Sequence, residues 1–379
     1  MTAGPVKFLL IACAAIGCGK RDAHSVPPSA SATSTAAANA APATSSPPAA
    51  AAPSSASAAA GAPRVTLELA DSGPVPVIDL HVDTPWRVHF KGRPATLPDG
   101  PATAAELSAG HYAGIVYPIY IPDYLHHDKP TIADAEAIYD TIDKIVQAQD
   151  LLVVATGAVA PGKVAVFVSI EGAGAFAADI EQIDRFIQRG VRLVGPAHTQ
   201  DNRLSGAATG KKSYGLTDLG KRFCQRVYAA GALVDVSHMS DKAFDDLVPI
   251  AKAAGAPIIA THSNARKVQH HKRNLTDAQL RTIADTGGVA GLNLHRGFLG
   301  GGKMKDIVKM TKHMIDVAGI DHVAIGTDFE GATAAKAVDD ASKMPDLAAA
   351  LIKAGIADAD VRKLFAKNAL RVLAWTPGH

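Results

Sequence analysis

Six apolar runs in this chain of 379 residues each lead straight into a histidine or a carboxylate. V-I-D-L (77–80) runs into His81 and Asp83, and V-S-I (168–170) into Glu171. V-G-P-A (194–197) precedes His198, V-D-V-S (234–237) precedes His238, I-I-A-T (258–261) precedes His262 and A-I-G-T (324–327) precedes Asp328. A single such residue is usually a helix cap or a hydrogen-bonded loop group. The joint pattern points instead to a metal site. Imidazole and carboxylate together suit zinc among the divalent ions. His81, Asp83, Glu171, His238 and His262 make five candidate ligands, too many for one open zinc site. Two ions sharing a carboxylate would use them all, and such a pair can polarise a carbonyl and ionise the water between them. Asp328 then remains as a strand-end carboxylate without a ligand role.

These residues span about 250 positions, so the fold must bring them together. Eight apolar runs read as strands: 77–82, 115–121, 164–170, 191–197, 232–237, 257–261, 288–293 and 322–327. Near-continuous apolar strands suit a parallel sheet covered on both faces. Amphipathic stretches lie between them. The spacing predicts a helix over 132–148, and Thr217, Ser240 and Thr276 are candidate N-caps for three more, with Gln279 at the capping-box position. Eightfold strand–helix alternation predicts a (β/α)8 barrel of the TIM type, in which all strand C-termini open on one face. A doubly wound sheet is the alternative, but no glycine-rich phosphate loop follows the first strand. The run 151–156 is a ninth strand candidate or a helix end. In His81-Val82-Asp83 an extended chain would aim both outer side chains one way. Asp79 lies one pleat deeper and reads as a structural carboxylate.

The formal charge of +2 carries no electrostatic footprint for nucleic acid. Lys7 and the apolar run 8–18 read as an export signal, too short for a permanent bilayer span. Its end, A-I-G-C, resembles a bacterial lipoprotein processing box, which makes Cys18 the expected lipidated residue and membrane anchor. Cleavage as an ordinary signal, a retained anchor, and processing at Cys13 are the alternatives. Residues 19–63 are nearly all Ala, Ser, Pro and Thr and read as a disordered tether. Residues 64–379 form the expected catalytic domain of an exported, cell-envelope lipoprotein facing the periplasm or cell surface. Cys224 is left without a partner in the mature chain and reads as a small packed residue.

The ordered motifs resemble those of the membrane (renal-type) dipeptidases in the metal-dependent amidohydrolase superfamily. V-I-D-L-H-V-D-T-P-W (77–86), V-S-I-E-G (168–172), L-V-D-V-S-H-M-S (233–240), A-P-I-I-A-T-H-S-N-A-R (256–266), K-R-N-L-T-D (272–277), G-T-D-F-E-G (326–331) and K-N-A-L-R-V-L (367–373) carry the resemblance from about residue 75 to 373. It implies a dipeptidase with two Zn2+ ions: His81 and Asp83 on the first, His238 and His262 on the second, Glu171 bridging. It further implies that His198 contacts the substrate and stabilises its carbonyl oxygen. Arg273 would grip the dipeptide's terminal carboxylate, and Asp328 would transfer protons. A homodimer is also implied. Read without the resemblance, Arg273 is a solvated loop charge, and His270 and His271 are solvent-facing. The chain departs from the pattern at A-G-A-F (173–176), in the second strand (V-Y-P-I-Y), in the loop 197–208, and at Glu330, where an Asp is usual. Two other functions stay open at this level: another amide hydrolase, acting on N-acyl amino acids or lactams, and a non-catalytic binding lipoprotein.

Overall fold

The computed structural model describes residues 65–378. The expected signal (1–18), including Cys18, and the expected tether (19–63) lie outside the described residues. Nine strands occur among the described ones: β1 (Val77–Asp79), β2 (Tyr112–Tyr120), β3 (Leu152–Val154), β4 (Val164–Glu171), β5 (Val191–Gly195), β6 (Leu233–Val234), β7 (Ile259–Ala260), β8 (Val289–Leu292) and β9 (Val323–Ile325).

Every pairing between strands is parallel, in the order β6-β5-β4-β2-β1-β9-β8-β7. The ends of this row meet at one bridge, Asp235 to Ile259, where Val236 N–H donates to the Ile259 carbonyl at 2.8 Å. The eight-stranded (β/α)8 barrel is thereby closed. The run at 151–156 contains the strand β3, which stands outside the ring. It pairs with the first half of β4 (Val164–Val166), while β5 takes the second half (Val168–Glu171).

All eight residues of β4 are buried, as both faces of a helix-covered parallel sheet must be. The expected caps form. Thr217, Ser240 and Thr276 accept from Gly220, Ala243 and Gln279 N–H at the starts of helices Asp218–Ala229, Asp241–Ala253 and Asp277–Asp285. Gln279 completes a capping box with Thr276, which satisfies two otherwise orphan donors. Cys224 is fully buried and unpaired. Among the described residues no helix is long and apolar enough to cross a membrane.

Several strands are shorter than their apolar runs. β1 stops at Asp79, two residues before His81, and β6 and β7 hold two residues each. Beyond those ends the backbone leaves the ladder to serve the barrel mouth. Asp83 is therefore not an extended residue. It has φ −85° and ψ 25° and is the N-cap of helix Thr84–Lys91, so alternation along a strand does not aim it. Its carboxylate makes no capping bond and is left for the cleft.

Candidate active site

At the barrel mouth, Glu171 Oε1 is the hub. His238, His262, His81 and His198 each turn Nε2 toward it, at 3.0, 3.5, 3.7 and 3.8 Å. Nε2 of His238 and His262 lie 2.9 Å apart, and His81 Nε2 is 3.4 Å from Asp83 Oδ2. Asp328 joins His81 and Asp83 in a further cluster close enough to share an ion. All seven strand-end residues singled out from the sequence thus meet in one place. They do so because β1, β4, β5, β6, β7 and β9 all end on this face.

Local backbone builds the hub. Gly172, directly after Glu171, has φ +80°, a region that L side chains rarely adopt. A Cβ there would press on the Ile121 carbonyl at 2.9 Å. Asp328 has φ +62°, and its N–H donates to the His81 carbonyl at 3.1 Å, which ties β9's exit to β1's. Asn293, at the end of β8, donates to Asp328 Oδ2 at 3.0 Å. Gly331 closes the turn against both carboxylates: a Cβ would lie 2.0 Å from Asp83 Oδ2 and 2.6 Å from Asp328 Oδ1.

The protein groups alone do not balance this cluster. Burial resists charge on His81, yet Asp83 and Glu171 outweigh it and hold its pKa up at about 10. Burial and then Asp83 push the Asp328 carboxyl up. Glu171 is raised by burial, against the pull of His81. Burial, followed by the Arg273 guanidinium, pushes His238 well down and His198 down to about 3. His262 is likewise pushed well down by burial and then His81. Both ring nitrogens of His81, and Nδ1 of His238, are buried without a hydrogen-bond partner. Ring lone pairs and carboxylates crowded together in this way form a donor set for a divalent cation. The residues present therefore fit a metal centre.

A cleft of about 600 Å3 opens over the hub. Arg273 is buried in its wall, only 6 % exposed, with long contacts to Ser263 Oγ (3.4 Å) and the His262 carbonyl (3.5 Å). Its guanidinium has spare donors on the cleft side, in a fork that matches a carboxylate. It is not the solvated charge that its sequence neighbourhood suggests. His270 is exposed as expected. His271 is not: its ring stacks on Phe298 (centroids 4.5 Å apart) and its Nδ1 accepts from Arg273 N–H.

Sequence reasoning missed the aromatic walls, Trp86, Tyr120, His295 and Phe298. Tyr120 pairs with Glu171 in register and packs against His198, with centroids 4.4 Å apart. His295 sits two residues past Asn293, a strand-end signal that was there to read. Glu330 proves not to line the cleft. Its carboxylate turns away to Arg93 Nη1, 2.5 Å from both oxygens, and its carbonyl accepts from Arg87 Nε at 2.9 Å. The substitution at 330 therefore belongs to a buried clamp on the 328–331 turn, not to the substrate pocket.

A (β/α)8 barrel with this ligand cluster at its mouth has the architecture of metal-dependent hydrolases. The family profile for membrane dipeptidases, peptidase family M19, matches residues 67–376. The chain is 27% identical to a metallopeptidase from Rhodobacter sphaeroides crystallised with a phosphinate mimic of the dipeptide L-Ala-D-Ala. That likeness covers 80% of this chain and 100% of the other, with a TM-score of 0.71. A second solved metallopeptidase, dipeptidase AC of family M19, is 28% identical over 81% of this chain and all of its own, also with a TM-score of 0.71. An uncharacterized Klebsiella pneumoniae protein from the pqqA 5' region is 38% identical over 54% of this chain and 79% of its own length. An uncharacterized dipeptidase of Schizosaccharomyces pombe is 30% identical over 56% of this chain and 53% of its own. The chain belongs to the membrane dipeptidase family and is a hydrolase of the metallo-dipeptidase type.

Proposed function

We propose that this chain hydrolyses the peptide bond of free dipeptides, using two zinc ions and a water activated between them. The observation that carries the reading is the hub itself. Four histidines turn Nε2 toward Glu171 Oε1, with Asp83 and Asp328 beside His81 at one edge and the spare donors of Arg273 in the wall. The Rhodobacter sphaeroides relative, which holds a dipeptide mimic, supports the substrate class.

His81 and Asp83 would hold one ion, His238 and His262 the other, and Glu171 both. Bound there, the ions would polarise the scissile carbonyl and acidify the water. Arg273 orients the substrate by forking onto its terminal carboxylate, and only a chain with a free C-terminus one residue beyond the scissile bond makes that contact. His198, kept neutral by its burial and by Arg273, donates a hydrogen bond to the carbonyl oxygen as charge builds on it. Its Nδ1 lies 2.7 Å from Thr199 Oγ1, which holds the ring in place. Asp328 takes a proton from the attacking water and delivers it to the leaving amine, a task suited to a carboxyl whose pKa has been raised toward neutrality. Asn293 keeps its carboxyl aimed at the cleft.

The test is to measure zinc per purified chain and assay a dipeptide panel with and without chelator. Two zinc ions and chelator-sensitive release of both amino acids are expected. A metal-free chain at full activity, or no turnover on any dipeptide, would overturn the reading.

We also propose that the chain is exported, anchored in the cell envelope through a lipid on Cys18, and dimeric. The A-I-G-C box after a short apolar run supports export and the anchor, and the resemblance to the membrane dipeptidases supports the dimer. Labelled palmitate should enter the wild-type chain and not Cys18→Ala, and light scattering should give twice the chain mass.

A further inference from the structure

The buried carboxylate of Asp235 has no part in the hydrolysis described above. It sits where the barrel closes, at the bridge to Ile259. Oδ1 accepts from Ser237 N–H (3.0 Å), Ser237 Oγ (2.7 Å) and Thr261 N–H (3.0 Å). Oδ2 accepts from Thr261 Oγ1 at 2.6 Å. An ionised carboxylate only accepts, and a hydroxyl has one proton to give. The Thr261 proton is therefore committed to Asp235, and the Ser237 proton likewise. The 3.1 Å approach of the two hydroxyl oxygens then holds no proton.

Thr261 Oγ1 also lies 2.7 Å from His262 Nδ1. With its proton spent on Asp235, Thr261 can only accept there. His262 must carry its hydrogen on Nδ1, and Nε2 is left as a bare lone pair facing Glu171. The other two histidines read as ligands lack this arrangement: Nδ1 of His81 and Nδ1 of His238 have no partner. The matching carboxylate on the other side, Asp79, accepts from His81 N–H, Thr327 N–H, Thr327 Oγ1 and Tyr112 OH, and touches no ring nitrogen.

We propose that Asp235 is a positioning residue: acting through Thr261, it locks the Nδ1–H tautomer of His262 and so sets the metal affinity of the His238–His262 side of the cluster. The inference rests on the reading of His262 as a ligand. Partners of this outer kind typically change metal affinity by about 10–100-fold. The wiring also makes an unusual forecast for Asp235→Asn. An amide nitrogen in place of Oδ2 would donate to Thr261 Oγ1. The hydroxyl would then turn its proton toward His262 Nδ1, moving the ring hydrogen to Nε2, where it blocks the ion. A wrong tautomer with intact geometry is known to cripple a catalytic histidine in this way.

The experiment titrates metal-stripped chain with Zn2+ against a competing chelator and reads the histidine tautomers by nitrogen-15 NMR of the same samples. In wild type, His262 should be Nδ1–H and two ions should bind. In Asp235→Asn it should be Nε2–H, with one ion bound about 100-fold more weakly. Thr261→Val, which removes the acceptor at constant shape, should weaken one ion by about 10-fold, and Thr261→Ser should restore it. If Asp235→Asn does not fold, the Val and Ser pair decides alone. An Nε2–H His262 in wild type overturns the proposal. So does Thr261→Val binding both ions as tightly as wild type. A wild-type chain that binds no zinc overturns the parent reading as well, which keeps the two failures apart.

Discussion

Gly331→Ala is a one-atom test of how tightly the 328–331 turn is built against the site. The added Cβ would stand 2.0 Å from Asp83 Oδ2 and 2.6 Å from Asp328 Oδ1. Ordinary contact begins near 3.4 Å, so the Asp83 carboxylate would have to retreat by about 1.4 Å, or the turn would have to lift by as much. Neither is easy. The turn is pinned by Asp328 N–H to the His81 carbonyl, by Arg87 to the Glu330 carbonyl, and by Asp83 N–H to the Phe329 carbonyl at 2.8 Å. Gly331 does not have positive φ, so backbone strain adds nothing and the effect is purely steric. Overpacking of this kind costs about 1–3 kcal/mol of stability. A misplacement of about 1 Å at a reacting group costs roughly 100-fold in rate. Gly331→Ala should therefore fold, melt a few degrees lower, and lose at least about 100-fold in kcat/KM on a dipeptide. Gly255→Ala is the control. Its φ is +60° with nothing within 4 Å, so it should cost stability and leave kcat/KM unchanged. Activity within threefold of wild type in Gly331→Ala would refute the packing argument.

Other substitutions probe single roles. Asp328→Asn should cut kcat by about 100- to 10,000-fold while zinc content stays at wild-type level, measured by metal analysis beside steady-state kinetics. Arg273→Ala should raise KM for dipeptides by at least about 10-fold and leave their C-terminal amides, which lack the carboxylate, nearly unaffected. Arg93→Ala leaves the Glu330 carboxylate, whose side chain is 3 % exposed, with only Thr84 Oγ1 at 3.3 Å and Arg87 Nε at 4.0 Å, and should cost up to about 3 kcal/mol by urea denaturation. Stripped of metal, the chain should lose stability as pH rises from about 6.5 toward 10. His81, raised from 6.5 to about 10, keeps its proton in the folded chain after the unfolded chain has released it, and the raised Glu171 adds in the same direction. Melting temperature against pH should fall over that window and flatten when zinc is restored.

Much of this site is legible from sequence because the fold makes a long-range problem local. In a parallel barrel every strand enters at the bottom and exits at the mouth, so an apolar run followed by His, Asp or Glu marks the mouth without any knowledge of neighbours. His81, Glu171, His198, His238, His262 and Asp328 could be found this way, and the capping residues Thr217, Ser240 and Thr276 by equally local rules. What tertiary structure alone decided are contacts between residues far apart in the chain. Asp83 reaches the site as an idle helix cap and not through strand alternation. Arg273 looks like a surface charge until burial beside His262 shows otherwise. Glu330 is, in the sequence, only a departure from the family pattern two residues past Asp328, and its contact with Arg93, 237 positions away, is what turns it from the cleft. β3 is as apolar as its neighbours, and only the division of β4's edge with β5 puts it outside the ring. The tautomer of His262 depends on where one hydroxyl proton goes, and that is set by a carboxylate 26 residues from Thr261. Patterns of polarity along a chain record which way a side chain must face. They do not record which partner it will meet there, because that depends on the closure of the barrel.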